Sequence, residues 1–287
     1  MTAVAFAAIS AALFGGMSVG LRMGLDRYPD AELATLATVT GALVVALVAA
    51  AAESPARGLH LTAAWPFLLA GLMQPGAGQL FVTRSVQEAG ASRASVVLGS
   101  APLVSVTIAL VVLGEPAQAP LLVGAVLIVA GGVELARDRD RPAHVRRRGY
   151  VFAFIACVLF ATRDNLVRWL SGDTSVPPAV AASGALVGGL ALVVVLLGAR
   201  VRGRLALRPA LPFLAVGVIF GLSYVTLFEA YFRGRVTVVS PIVATEALWG
   251  VALSWLLIRR TELVGRRVLI GALLIVGGGV LIGLNAS

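Results

Sequence analysis

The 287-residue sequence contains no lysine, a single cysteine and only two histidines. Without lysine, the chain has neither a P-loop for ATP hydrolysis nor a retinal-type Schiff base. The lone Cys157 excludes an internal disulfide and a paired-cysteine site. Because His60 and His144 fall in predicted loops, we expect neither haem ligation within a membrane nor a Ser–His dyad. We therefore predict no catalytic residue, cofactor or metal.

Charge is also scarce. Charged residues make up 13% of the chain, whereas about a quarter of the residues in a soluble domain are charged. Hydrophobic residues make up 59%, the mean hydropathy is +0.95, and the apolar content extends along the whole chain. These values indicate a polytopic membrane protein. The net charge of +9 comes from arginines in short loops, a pattern that favours membrane orientation over nucleic-acid binding.

Ten apolar runs approach the roughly 20 residues that a helix needs to cross a bilayer. The predicted fold class is therefore an all-α polytopic membrane protein with ten transmembrane helices. The spans are predicted at residues 3–23, 31–52, 63–84, 92–113, 118–136, 149–170, 179–199, 211–232, 236–257 and 264–284.

The two halves of the chain repeat each other. GEPAQAPLLVGAVLIVAGGVEL (114–135) matches RTELVGRRVLIGALLIVGGGVLI (260–282), with an offset of 146 or 147 residues. We predict a first five-helix repeat at 1–136, a basic linker at 137–148 and a second repeat at 149–287. Five is odd, so the second repeat must be inverted in the bilayer, as in many secondary transporters. The matching Glu115 and Glu262 are expected to begin their own helices and offset the positive helix ends.

Arginine counts predict the orientation. Loops on the linker's side of the membrane hold 18 arginines, and those on the side of the termini hold four. The positive-inside rule then places the linker in the cytoplasm and both termini outside.

Three polar residues, Arg163, Asp164 and Asn165, stand together inside the sixth span. A charge at the bilayer centre costs at least about 2.5–3.5 kcal/mol, so it should be paired or face water. Adjacent helical residues point about 100° apart, so we do not expect Arg163 to pair with Asp164. We hypothesise a pair with Glu246 of the ninth span, or a cavity that holds both. A buried ion pair that only fixes helix register is the open alternative.

Several segments resemble the EamA-like branch of the drug/metabolite transporter superfamily. They are LFGG (13–16), EAGASRASVVLGSAPLVSVTIALVVLGE (88–115) and VGAVLIVAGGVEL (123–135). The resemblance implies export or exchange of small metabolites such as amino acids, through a central cavity lined mainly by spans 1, 3, 4, 6, 8 and 9. It also implies cytoplasmic termini, opposite to the arginine count.

Other polar and aromatic residues are candidates for the same cavity. Gln74 and Gln79 flank a break in the third span at Pro75, where backbone groups could bind substrate; the alternative is a kink with glutamines packed between helices. Tyr224 lies near the middle of the eighth span, and Trp249 lies one turn after Glu246. The predicted substrate-binding residues are thus Arg163, Asp164, Asn165, Glu246, Gln74, Gln79, Tyr224 and Trp249.

These features predict a secondary transporter, an exporter or exchanger, of a small polar or zwitterionic metabolite such as an amino acid. A membrane-embedded enzyme acting on lipid or prenyl substrates, and a channel, are the alternatives. The expected partners are a small-molecule substrate and the lipid bilayer, with protons open as a coupling ion and no nucleic acid. The expected state is a monomer or homodimer in the inner cell membrane.

Overall fold

The computed structural model describes residues 1–89, 97–98, 100–136, 147–204, 206–258 and 266–285. In these residues every regular element is a helix. Residues 137–146 of the predicted linker, most of the first part of the fourth span and Glu262 lie outside the described residues. The last two linker residues, Arg147 and Arg148, belong instead to the helix that begins at Arg147. The helices longer than one turn are α1 (Ala3–Arg27), α2 (Ala31–Arg57), α3 (Trp65–Gly71), a π-helical segment (Leu72–Ala77), α4 (Gly78–Ala89), α5 (Ala101–Val111), α6 (Ala119–Ala136), α7 (Arg147–Gly172), α8 (Pro178–Val201), α9 (Leu207–Arg233), α10 (Val236–Val243), α11 (Glu246–Ile258) and α12 (Arg266–Leu284).

The helices reproduce the predicted ten spans. Five of them, α1, α2, α7, α8 and α9, are long and apolar enough to cross a membrane alone. The third span consists of α3, the π-helical segment and α4, and the ninth consists of α10 and α11. The other spans contain shorter apolar helices. The predicted all-α polytopic fold is therefore confirmed.

Helix packing follows the internal repeat. α9, the eighth span, is the equivalent of the third span. α1 and α2 both pack on α9. Their equivalents, α7 and α8, both pack on the third span. α1 also contacts the ninth span, as α7 contacts α5. The remaining large interfaces, α2 with α8 and α6 with α12, each join two equivalent helices. The pattern is unchanged when the two repeats are exchanged.

The equivalent helices run in opposite directions. Asp30 and Glu32 at the start of α2 form ion pairs with Arg204, at 2.6 and 2.5 Å, just beyond the end of α8. In the other equivalent pair, Gly278 of α12 lies against the carbonyl oxygen of Gly124 in α6. Small residues let helix backbones approach in a membrane. Contacts between the start of one helix and the end of its equivalent require inverted repeats.

Two spans are interrupted near their middle. In the third span, Gln74 has non-helical backbone angles (φ −150°, ψ 121°) and precedes Pro75. Proline lacks the N–H that would continue the helical ladder, so the predicted break is confirmed. In the ninth span, α10 ends at Val243 and α11 begins at Glu246. The charged Glu246 therefore opens a new helix at mid-span.

Candidate functional site

Arg163 and Asp164 are buried in α7 and form an ion pair with each other. Arg163 is 3% exposed and Asp164 8%, and Nε of Arg163 lies 3.2 Å from Oδ1 of Asp164. The expectation that these neighbours would not pair is wrong, because the long guanidinium arm folds back towards the next residue. No Arg163–Glu246 ion pair replaces it among the described side chains, although the two charges interact electrostatically.

The Arg163 guanidinium also lies over an aromatic ring. Its Cζ is 5.3 Å from the ring centroid of Tyr224 in α9, a distance at which a cation is attracted to the ring face. The Tyr224 hydroxyl donates a 2.5 Å hydrogen bond to the backbone carbonyl of Gln74, which lies in the break of the third span. Tyr224 therefore connects Arg163 of α7 to the interrupted backbone of the third span at Gln74.

The Asp164 carboxylate faces two hydroxyl groups, those of Tyr231 in α9 and Ser240 in α10. Neither residue is among the substrate-binding residues predicted from the sequence. Tyr231 lies two helical turns after Tyr224, on the same face of α9, and that spacing could have identified it. Ser240 precedes a proline and carries no comparable signal.

Asn165 is buried beside α5 and uses its amide nitrogen fully. Nδ2 donates to the carbonyl oxygen of Ser105 at 3.0 Å, to its hydroxyl at 3.2 Å and to the carbonyl of Ala161 at 2.8 Å. Asn165 therefore ties the sixth span to the fourth. No pattern in the sequence pointed to Ser105.

The buried cluster around Arg163 retains unused hydrogen-bonding capacity. In the described part of the chain, several of its buried atoms have no hydrogen-bond partner, although such groups are usually satisfied in proteins. They are Oε1 of Gln74, Nε and Nη1 of Arg163, Oδ1 of Asp164, Oδ1 of Asn165 and the hydroxyl of Tyr231. The set combines donors and acceptors with both signs of charge.

These side chains form a closed cluster. Gln74, Arg163 and Asn165 are each at most 4% exposed, and Tyr224 is fully buried. Any central cavity of the kind that the resemblance implies therefore leaves these four side chains almost without accessible surface.

The remaining candidates lie nearer to accessible surface. Glu246 is exposed and interacts electrostatically with both Arg163 and Asp164. Trp249, one turn later, is 43% exposed, with its Cβ beside Gly15 of α1. Gln79 is partly buried and accepts a long 3.5 Å contact from Nε2 of Gln74. Glu246 and Trp249 thus border the cluster without entering it.

Glu115 has a different role from the expected one. It precedes the start of α6 and does not begin that helix. Its two carboxylate oxygens accept hydrogen bonds from the backbone N–H groups of Val236 and Thr237, at 2.8 and 2.9 Å. It therefore caps the first helix of the ninth span, in the other repeat, where a negative charge favours the positive helix end.

Comparison with known proteins agrees with this architecture. The sequence profile of the EamA-like transporter family matches residues 1–134 and, a second time, residues 147–284. A solved structure described only as the crystal structure of a protein superposes with a TM-score of 0.81 and 20% sequence identity. The alignment covers 99% of this chain and 97% of that one, and at this identity it shows the fold alone. No curated protein sequence matches the chain significantly.

Proposed function

The chain belongs to the EamA-like transporter family, and from this we propose that it is a secondary transporter whose cargo is a small zwitterionic metabolite such as an amino acid. Family membership makes it an integral, multi-pass membrane transporter of the drug/metabolite type. The proposal adds the chemistry of the cargo, export or exchange as the mode of transport, the site residues and the inner cell membrane as location.

The observation that supports the proposal is the Arg163–Asp164 pair. Its facing atoms, Nε of Arg163 and Oδ1 of Asp164, lie 3.2 Å apart, and neither atom has a hydrogen-bond partner among the described residues, although the hydroxyls of Tyr231 and Ser240 lie beside the same carboxylate. A pair selected only for stability would be fully hydrogen-bonded, because desolvation otherwise exceeds the Coulombic gain. A zwitterion satisfies both groups: its carboxylate meets the guanidinium, and its amine meets Asp164 or Glu246.

Neutral groups around the pair supply the rest of the recognition. The amide oxygens of Gln74 and Asn165 and the hydroxyl of Tyr231 have unused capacity. Gln79, Tyr224 and Trp249 border the same region. Since Gln74, Arg163 and Asn165 are buried, contact with the cargo requires the helices around them to separate. The inverted architecture and the interrupted third and ninth spans favour alternating access.

Ligand specificity can be tested on purified protein by thermal shift. We expect at least one zwitterionic amino acid to raise the melting temperature. Its N-acetyl derivative lacks the amine and its methyl ester lacks the carboxylate, so neither should do so. Stabilisation by a derivative as strong as that by the parent amino acid would contradict recognition of both charges. Any stabilising amino acid is then tested, radiolabelled, in counterflow into proteoliposomes.

Variants of the pair separate transport from stability. R163Q and D164N each leave one buried charge without a partner, which costs about 3–5 kcal/mol. The double variant removes both charges, so we expect it to regain stability without regaining counterflow. R204Q is the control, since its exposed ion pairs are worth about 1 kcal/mol or less. Counterflow by the double variant at the wild-type rate would show that the pair only fixes helix register.

A further inference from the structure

The charged cluster holds one guanidinium group and two carboxylates. Arg163 and Asp164 form the buried ion pair, and Glu246, at the start of α11, interacts electrostatically with both. Among the described residues, Arg163 is the only cation that acts on either carboxylate. When all three groups are ionised, the cluster therefore carries one negative charge that no described side chain offsets.

This excess negative charge lies inside the membrane. Asp164 belongs to α7, which is long and apolar enough to cross the bilayer. Glu246 lies at the break between α10 and α11, in the middle of the ninth span. Charge at that depth is costly unless it is paired, and a nearby cation favours the ionised form of a carboxylate. The partner that the cluster lacks is thus a second cation, and the cargo can supply it.

The unsatisfied atoms of the cluster also favour a cargo rich in hydrogen-bond donors. The donors of Arg163 are met by the cargo carboxylate. The atoms that then remain without a partner are Oε1 of Gln74, Oδ1 of Asp164, Oδ1 of Asn165 and the hydroxyl of Tyr231. The first three only accept hydrogen bonds, whereas an ammonium group has three donors and no acceptor. A second ammonium or guanidinium group therefore suits this set better than a neutral side chain does.

Glu246 and Trp249 provide a place for the second cation. They lie one turn apart on α11, so their side chains are neighbours on the same face of the helix, and both are exposed. Because Glu246 interacts with Arg163 and Asp164, its carboxylate faces the cluster and not the hydrocarbon, where it would be costly. The ring face of a tryptophan attracts a cation within about 6 Å. A cargo with two cationic groups can therefore use a different carboxylate for each.

We propose that the cargo is a cationic amino acid, which carries a second amine or a guanidinium group on its side chain; this inference rests on the proposed function. The cargo carboxylate meets Arg163, the α-amine meets Asp164, and the side-chain cation lies between Glu246 and Trp249. The positive and negative charges of cargo and cluster then balance, which a neutral amino acid does not achieve. Glu246 is accordingly the residue that determines specificity for the side chain.

Matched pairs of amino acids test the proposal on the purified full chain, by thermal shift over a range of ligand concentrations. Ornithine, lysine and arginine are compared with norvaline, norleucine and citrulline, which keep both α-charges and the carbon chain but lack the side-chain cation. We expect at least one cationic amino acid to bind at least about tenfold more tightly than its neutral partner, because charged hydrogen bonds in a buried site are strong.

The outcomes separate this inference from the proposed function. If the neutral amino acids stabilise the protein as strongly as their cationic partners, or if only they stabilise it, the cargo is a zwitterion without a second cation. The inference is then overturned, and the proposed function stands. If no amino acid of any kind stabilises the protein, both fail.

The variant E246Q assigns the specificity to one side chain. We expect it to lower the ratio of lysine affinity to norleucine affinity at least about tenfold, because the amide offers the second cation no charge. The ratio is measured within one variant, so a general loss of stability does not change it. E32Q makes the same substitution in the ion pair with Arg204, at the start of α2, and should keep the wild-type ratio. An unchanged ratio in E246Q would overturn the proposal.

Discussion

At the scale of single residues, the sequence identified the charged positions but not their partners. Arg163, Asp164 and Asn165 stood out because charge inside an apolar span is costly, and all three are buried in the structure. Their contacts depend on side-chain conformation. Arginine reaches Asp164 through a long flexible arm, so the angle between neighbouring Cβ directions did not predict the pairing. The contacts of Asn165 with Ser105 depend on how two helices pack, which no local pattern encodes.

Tyr224 offers a test of how the cluster is held to the interrupted third span. Y224F removes the hydroxyl that donates to the Gln74 carbonyl but keeps the ring under Arg163. A buried carbonyl without its donor costs about 1–3 kcal/mol, so we expect a lower melting temperature for the purified protein. Amide hydrogen exchange should also become faster in peptides that cover the π-helical segment.

Tyr150 provides the matched control for that substitution. It lies near the start of α7 and is 40% exposed, so Y150F should change stability by no more than about 0.5 kcal/mol. Equal melting temperatures for Y224F and Y150F would show that the hydroxyl of Tyr224 does not hold the break.

At the scale of helices, local sequence signals were reliable and long-range ones were not. Pro75 with its neighbouring glycines predicted the break in the third span, because proline acts within its own helix. Pro241 acts in the same local way in the ninth span, where the chain leaves the helix two residues later, after Val243. Glu115 was assigned to its own helix, whereas it caps α10 in the opposite repeat. A carboxylate is equally favourable at the start of α6 and at the start of α10, so only the fold determines which of the two helices Glu115 caps.

The interface between α6 and α12 depends on close contact between glycines of the two helices. A Cβ at Gly278 would lie 2.6 Å from the carbonyl oxygen of Gly124, whereas one at the adjacent Gly279 would have no neighbour within 4 Å. G278A should therefore force the helices apart and cost about 1–3 kcal/mol. G279A should stabilise α12 by up to about 1 kcal/mol, since alanine is the better helix former. Thermal unfolding of both variants checks the expectation, and similar destabilisation by the two would contradict close backbone contact.

At the scale of the whole molecule, the architecture could be predicted because it repeats. An offset of 146 or 147 residues recurs along the chain, and an odd number of spans per repeat requires inversion. The structure bears this out in the antiparallel pairing of α2 with α8 and of α6 with α12. The burial of Arg163, Asn165 and Tyr224 was not predictable from the repeat, because sequence periodicity does not report how closely the helices of the two halves pack.

Orientation in the membrane is the remaining property of the whole molecule, and two arguments disagree about it. The family resemblance implies cytoplasmic termini, whereas the arginine count implies external ones. Loops on the linker's side carry 18 arginines against four on the other side, which predicts a cytoplasmic linker and external termini. Cysteine labelling can decide, because the single native Cys157 is buried and can be replaced by serine. We expect a membrane-impermeant maleimide to label S287C in intact cells, and to label A143C in the linker only after permeabilisation.

The reverse labelling pattern would show cytoplasmic termini, and it would have a physical meaning. Arginine bias directs topology because positive charge near a span resists translocation. Six arginines lie within residues 137–148, so an external linker would require this densest positive segment to cross the membrane. Replacing Arg146, Arg147 and Arg148 by glutamine should then leave the labelling unchanged. If the linker is cytoplasmic because of its charge, the same replacement should give a mixed population in which A143C is partly labelled in intact cells.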